Sequence, residues 1–208
     1  MGAGRPRGFD VEEALERALC LFLEKGYEGA YLGDLTRAMG INPPSLYAAF
    51  GSKEGLFRQV LERYVGAQKA FLAEVMAAPS AQETVERLLL GTAERQTLEG
   101  RAPGCLLVQG ALACADQVDP IRDELTRCRR IGELALAERL SRARATGDLA
   151  PDSDPDALAR YVYAVLNGMA VEAASGAGRA ELLSIAGVAL KAWPSLANTP
   201  GPSGVAPA

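Results

Sequence analysis

The chain has 208 residues, a net charge of -4 and four cysteines but no histidine. That length accommodates two modest domains or one extended helical one. The missing histidine excludes a Ser/His/Asp catalytic site and a mixed cysteine–histidine zinc site, and Cys20, Cys105, Cys114 and Cys128 contain no CxxC pair suited to an all-cysteine site.

Ala, Leu, Glu and Arg dominate and period-two β-branched runs are missing, so an all-α fold of about nine helices is expected. No apolar stretch approaches the roughly 20 residues that span a bilayer, and Met1 to Arg7 lacks a hydrophobic signal core. The expected location is the cytoplasm, with thiols kept reduced as small hydrophobes and no membrane partner. A pI near 5.1 argues against a general nucleic-acid coat but not against a local basic surface that reads a particular site.

In chain order, Gly2 to Phe9 is short and basic through Arg5 and Arg7, and reads either as a loose terminus or as an arm reaching a minor groove or phosphates. Asp10 to Lys25 follows as a helix, with Asp10 as N-cap, Glu12 and Glu13 in the first turn and Gly26 as its stop. Its apolar face, Ala14, Leu15, Ala18, Leu19, Phe22 and Leu23, is expected to back the stretch Leu32 to Phe57. In that stretch Leu35, Ala38 and Met39 mark a short helix closed by Gly40. Asn42 or Pro43 caps the next helix, Pro44 suits its first position, and Leu46, Tyr47 and Phe50 are its apolar anchors. Gly51 breaks the chain, and Ser52 caps a helix beginning at Lys53-Glu54-Gly55. Two short helices crossing over a tight turn form the helix-turn-helix geometry, which presents the second helix to a DNA major groove.

A long helix from Leu56 to roughly Met76 connects this part to the rest. Ala77 to Ser80 stops it, and Ser80 with Glu83 has capping-box spacing for a helix from about Ala81 to Leu98. After a Gly/Pro loop, further helices are expected over Cys105 to Ala115, Ile121 to about Ala145, Pro155 to Ala174 and Arg179 to Trp193. The tail from Pro194 is Pro/Gly/Ser-rich and expected to be disordered. The division is therefore residues 1–55 as an arm and helix-turn-helix domain, 56–193 as an effector-binding and dimerisation domain, and 194–208 as tail.

The string Phe22…Lys25-Gly26-Tyr27-Glu28, then Asp34-Leu35…Ala38-Met39-Gly40-Ile41, then Ser45-Leu46-Tyr47…Phe50-Gly51-Ser52-Lys53-Glu54…Leu56-Phe57 resembles the TetR family of bacterial transcriptional regulators. The resemblance covers roughly residues 9 to 60, and Gly104 to Val108 looks like a string of one of its subgroups. It departs from the family at Ala30-Tyr31, where a Ser or Thr hydroxyl usually precedes the second helix, so a phosphate contact there falls to the Tyr31 hydroxyl. The resemblance implies that the helix from Pro44 to Phe50 lies in the major groove of a double-stranded operator, in a regulator that more often represses.

Physical roles for that helix follow from its residue types. Pro44 and Ala48 or Ala49 offer small apolar surfaces for thymine methyls, and Ser45 suits a base edge or a phosphate. Tyr47 and Lys53 suit phosphates; the plain alternative for Tyr47 is a core aromatic with a wet hydroxyl, and Lys53 reads equally as a solvated lysine. No arginine or glutamine stands on the reading face, so shape and methyl contacts are expected to carry specificity. So short a reader requires two copies on a near-palindromic site.

For the homodimer, Leu158, Val162, Val165 and Met169 form one helical stripe, and Leu182, Ile185, Ala186 and Ala189 another; a four-helix subunit interface is the favoured reading, intrachain core the plain one. The resemblance also implies a cavity for a small-molecule effector, with candidate lining from Leu107, Gln109, Gly110, Tyr161, Tyr163 and Asn167. Cys105 stands at an expected helix N-terminus, where a thiolate is favoured, so it reads either as an oxidant or electrophile sensor or as a buried structural thiol. No catalytic residue, cofactor or metal is assigned. An enzyme or a helical interaction module are the remaining alternatives, and the second leaves Arg5, Arg7, Tyr47 and Lys53 without a role.

Overall fold

Capping chemistry sets where most helices begin. The computed structural model describes residues 9–98, 102–113 and 120–198. Among them are nine α-helices and no strand: α1 (Val11–Gly29), α2 (Leu32–Met39), α3 (Pro43–Phe50), α4 (Lys53–Met76), α5 (Ala81–Gln96), α6 (Leu106–Ala113), α7 (Pro120–Ala145), α8 (Pro155–Ala174) and α9 (Arg179–Ala197). Asp10, Asn42, Ser52, Ser80 and Asp154 each accept backbone N–H groups from the first turn of the helix that follows. None of the helices among the described residues is long and apolar enough to cross a membrane.

Several boundaries differ from the sequence reading for physical reasons. Gly26 does break α1, at φ 68°, but the chain resumes one helical turn to Gly29. Pro43, not Pro44, takes the first position of α3, because Asn42 is the residue whose side chain caps it. Helix α5 stops at Gln96, where the Thr97 hydroxyl donates back to the Ala93 carbonyl. Cys105 lies just outside α6 and acts as its N-cap, its carbonyl accepting from Val108 and Gln109. The expected tail is shorter than drawn: α9 runs through Pro194 to Ala197. Trp193 and Ala197 are buried one turn apart while Pro194 faces out, and the apolar contact on that side outweighs the hydrogen bond the proline removes. Arg5, Arg7 and residues 199–208 lie outside the described residues.

Two cores organise the helices. In the first, Phe22, Tyr27 and Phe57 meet edge-to-face or stacked, with ring centroids 5.0 Å apart for both contacts to Phe57. Leu35, Leu46, Phe50, Leu56 and Val60 close around them. Such rings contribute about 0.5–1.5 kcal/mol per pair beyond their buried area. Leu106, Ile121 and Leu125 from α6 and α7 join the same core. The boundary at residue 55 therefore cuts through a packed unit, because the start of α4 belongs to the N-terminal core.

The second core is leucine- and alanine-rich and is built from the end of α4 with α5, α7, α8 and α9, around Leu88, Leu89, Leu136, Leu140 and Trp193. Polar ties hold its far end. Arg139 is buried and donates to the Ala78 carbonyl at 3.0 Å, while Asp148 accepts from the Ala81 N–H at 2.6 Å. Each satisfies a backbone group where α4 turns into α5, a site where unpaired polar atoms are costly.

Candidate nucleic-acid interface and adjoining cavity

Helix α3 has eight residues and two faces. Leu46 and Phe50 are buried in the first core, and Ala49 packs partly against it. Pro43, Pro44, Tyr47 and Ala48 face outward, Tyr47 at 48% exposure, and Ser45 is half-exposed. Tyr47 is thus no core ring. Of the two alanines, Ala48 is the one presented, and Pro43 joins the outer face although only Pro44 was singled out from sequence. Gly40 sets the angle between α2 and α3: it adopts φ 69°, and its N–H returns to the end of α2.

Helix α2 flanks this face. Tyr31 stands at its N-cap position without a side-chain capping bond and is 72% exposed, so its ring projects into solvent. Lys25 ties α1 to α2 through Asp34 at 3.0 Å, and Arg37 reaches the other carboxylate oxygen at 3.1 Å. The Lys25 ammonium first, with Arg37 adding to it, holds the Asp34 carboxyl below its ordinary value. Lys53 is neither freely solvated nor aimed outward at rest. Its ammonium lies 4.5 Å from the centroid of the Tyr27 ring and 3.4 Å from the Glu28 carbonyl. Partial burial lowers its pKa, with the charge of Glu28 opposing the shift.

A cavity of about 110 Å³ opens among α4, α5, α6, α7 and α8. Of the lining expected from sequence, Cys105, Leu107, Tyr163 and Asn167 are on its wall. Three candidates are not. Tyr161 lies two residues from Tyr163, a turn of about 200° around a helix, and points to the outer surface at 37% exposure. Gly110 packs against Leu125, and the Gln109 side chain folds back against Gly104. The sequence reading missed the contributions of α4, α5 and α7, namely Gln68, Leu72, Leu88, Thr92, Gln96, Cys128 and Arg129. Their spacing within each helix is that of ordinary core, and only packing shows that they converge.

A short polar chain joins two residues of the wall, Gln68 and Cys105, through Tyr64 behind it. Gln68 Nε2 donates to Tyr64 Oη at 3.1 Å, and the Tyr64 hydroxyl donates to Cys105 Sγ at 3.3 Å. Burial pushes the Tyr64 and Tyr163 hydroxyls well above their ordinary pKa, so both remain protonated donors at neutral pH. Gly132 gives α7 the room to meet Tyr163, since a Cβ there would collide with the phenol oxygen.

The interface stripe drawn from periodicity needs correction. Leu158, Val162, Met169, Leu182 and Ala186 are buried within the chain as intrachain core, while Ala189, also buried, lies at the edge of the outer surface and lines the groove there. Val165 and Ile185 are half-exposed, and together with Tyr161, Ser184 and Val188 they line an open apolar groove on the outer side of α8 and α9. Val188 is 65% exposed. The periodic residues shared by both helices face each other across their own contact, which displaces the outward surface by part of a turn.

An outward-facing pair of short helices on an aromatic core, carried by a helical body with a cavity, defines a helix-turn-helix regulator with a ligand-sized chamber. Comparison with known proteins agrees. The model of bacterial regulatory proteins of the tetR family matches residues 14–60, and that of the tetracyclin repressor-like C-terminal domain matches residues 82–180. The HTH-type transcriptional repressor ComR of Escherichia coli (strain K12) is 33% identical over 195 residues, covering 93% of both chains. BdcR, an HTH-type transcriptional repressor of the same strain, is 43% identical over 109 residues, or 51% of this chain and 55% of its own. A cysteine variant of the TetR family transcriptional regulator CifR, solved in complex with 26-bp double-strand operator DNA, superposes with a TM-score of 0.85 at 45% identity, covering 92% of this chain and all of that one. The chain belongs to the TetR family of transcriptional regulators.

Proposed function

We propose that two copies of this chain bind a near-palindromic operator, each placing α3 in a major groove, and that a small molecule in the central cavity releases them. The observation that carries this reading is the division of α3, whose Leu46 and Phe50 are buried while Pro44, Tyr47 and Ala48 face solvent. Pro44 and Ala48 meet base methyls, Ser45 a base edge or phosphate, and Tyr31 and Tyr47 supply hydroxyls to phosphates on either side. Lys53 reaches a phosphate by leaving the Tyr27 ring, at the loss of a modest cation–π contact. The two copies join through the outer groove of α8 and α9 that Val165, Ile185 and Val188 line. The protein acts by binding, not by catalysis, and works in the cytoplasm. A gel shift against DNA flanking its own coding region tests this. Binding is expected to weaken as salt rises and to fall on Tyr47→Ala; salt-independent binding, or none, overturns the reading.

A second reading rests on one contact. Cys105 Sγ lies on the cavity wall, where a guest or a small oxidant entering the cavity meets it, and accepts the Tyr64 hydroxyl at 3.3 Å. Release would then follow oxidation or alkylation of Cys105. Unchanged operator release by peroxide in Cys105→Ser would dispose of it.

A further inference from the structure

The chemistry of the cavity wall is uneven, and the unevenness specifies a ligand. Its floor holds Gln96, which is 8% exposed and whose Oε1 has no hydrogen-bond partner. Gln68 and Tyr64, which line the neighbouring space with Gln96, are engaged elsewhere, since Gln68 donates to Tyr64 and Tyr64 to Cys105. A buried carbonyl oxygen without a donor is rare and destabilising, and it favours any guest that brings one. Gln96 also lines a second, smaller cavity against Leu19, Cys20 and Leu23 of α1, so the floor is shared with the helix that backs the reading motif.

The rim has the opposite need. Lys69 is exposed and Arg129 half-buried, both line the cavity, and neither makes an ion pair among the described residues. No aspartate or glutamate lines the cavity among the described residues. Between floor and rim the wall is mainly apolar, with Leu72, Leu88 and Leu166, interrupted by Thr92, Tyr163 and Asn167. A volume of about 110 Å³ holds a ring or branched chain, and an acid group then projects to the rim.

From this we propose that the effector is a small apolar hydroxy acid: its hydroxyl donates to Gln96 Oε1, its body fills the leucine-lined middle, and its carboxylate rests between Lys69 and Arg129. The assignment rests on the reading of the cavity as the effector site and adds the class of molecule that fits it. The two anchors differ in strength. The floor is buried, and a site built for a donor rejects an analogue without one. The rim is wet, and an ion pair there is screened.

Three near-isosteric probes separate the anchors. 4-Hydroxyphenylacetate carries both groups, phenylacetate lacks the donor, and 4-(2-hydroxyethyl)phenol lacks the acid. By calorimetry on the full chain at low salt, 4-hydroxyphenylacetate is expected to bind about tenfold tighter than phenylacetate and about threefold tighter than the alcohol. Gln96→Leu is expected to erase the first preference only, and Lys69→Gln with Arg129→Gln the second only. Gln96→Met provides an independent test of the floor, with thermal unfolding of each variant confirming that it is folded. The proposal is overturned by equal binding of the three probes, by no binding at millimolar concentration, or by a preference that survives in the matching variant. The ligand-free gel shift reports on DNA binding separately, so its failure would sink the regulator reading while the calorimetry still judges the cavity.

Discussion

The two cores solve opposite problems. The N-terminal one must hold an eight-residue helix at a fixed angle, and it does so with rings: Phe22, Tyr27 and Phe57 touch face and edge, and Phe9 lies 6.4 Å from Phe50. The C-terminal one must leave space, and it is built from leucine and alanine around a cavity of about 110 Å³. Interiors are ordinarily close-packed, so a void of that size forgoes dispersion contacts that the surrounding helices must make elsewhere. The buried Trp193 ring makes such contacts elsewhere in the bundle, and the Arg139 and Asp148 hydrogen bonds add polar ties. Rigidity is concentrated where geometry is read, and slack where a guest is admitted. The two are not joined by a loose linker: Leu125 of α7 lies in the first core, and Arg58 of α4 pairs with Glu124 of α7.

Truncating one ring in each core is the strongest way to break this contrast. Phe57→Ala and Trp193→Ala should each cost about 3–5 kcal/mol, read from urea denaturation followed by circular dichroism. Because α6 and α7 pack into the first core, one cooperative transition is expected for both variants; two separate transitions would mean that the cores are independent. Next in size is Gly132→Ala, which pushes Tyr163 off α7. Overpacking there should cost about 1–3 kcal/mol and shrink the cavity, seen as a lower denaturation midpoint together with lost probe binding. A midpoint unchanged with binding intact would show that the bundle yields freely.

Tyr47→Ala should leave the denaturation midpoint unmoved and weaken operator binding about tenfold, since it removes a half-exposed ring that supports no core contact. A large fall in stability would instead make Tyr47 a structural residue. The smallest effect is expected from Asp34→Asn. The Asp34 carboxyl has a folded-state pKa below its unfolded value, chiefly through Lys25. Its contribution is present above about pH 4 and disappears as pH falls through the lower folded-state value. The wild type should therefore lose stability more steeply than Asp34→Asn on acidification below that point, and identical acid profiles would show that the link between α1 and α2 is inert.

Local chemistry alone determined much of this protein. Helix starts after Asp10, Ser52 and Ser80 and at Pro155, the turn at Gly40, the buried Leu46 and Phe50, and membership of the family were all readable in order along the chain, because caps, positive-φ glycines and helical periodicity act within one or two turns. Tertiary structure decided what depends on which helix lies opposite. Periodicity marks that α8 and α9 each have an apolar side, but not that Leu158, Val162 and Leu182 face inward while Val165, Ile185 and Val188 remain outside. It cannot show that Gln68, Gln96 and Arg129, from three helices far apart in sequence, share one wall with Cys105. Nor can it show that a proline at 194 would be carried inside a helix by the burial of Trp193 and Ala197. A cavity is the place where several helices fail to touch, and no single helix encodes a gap.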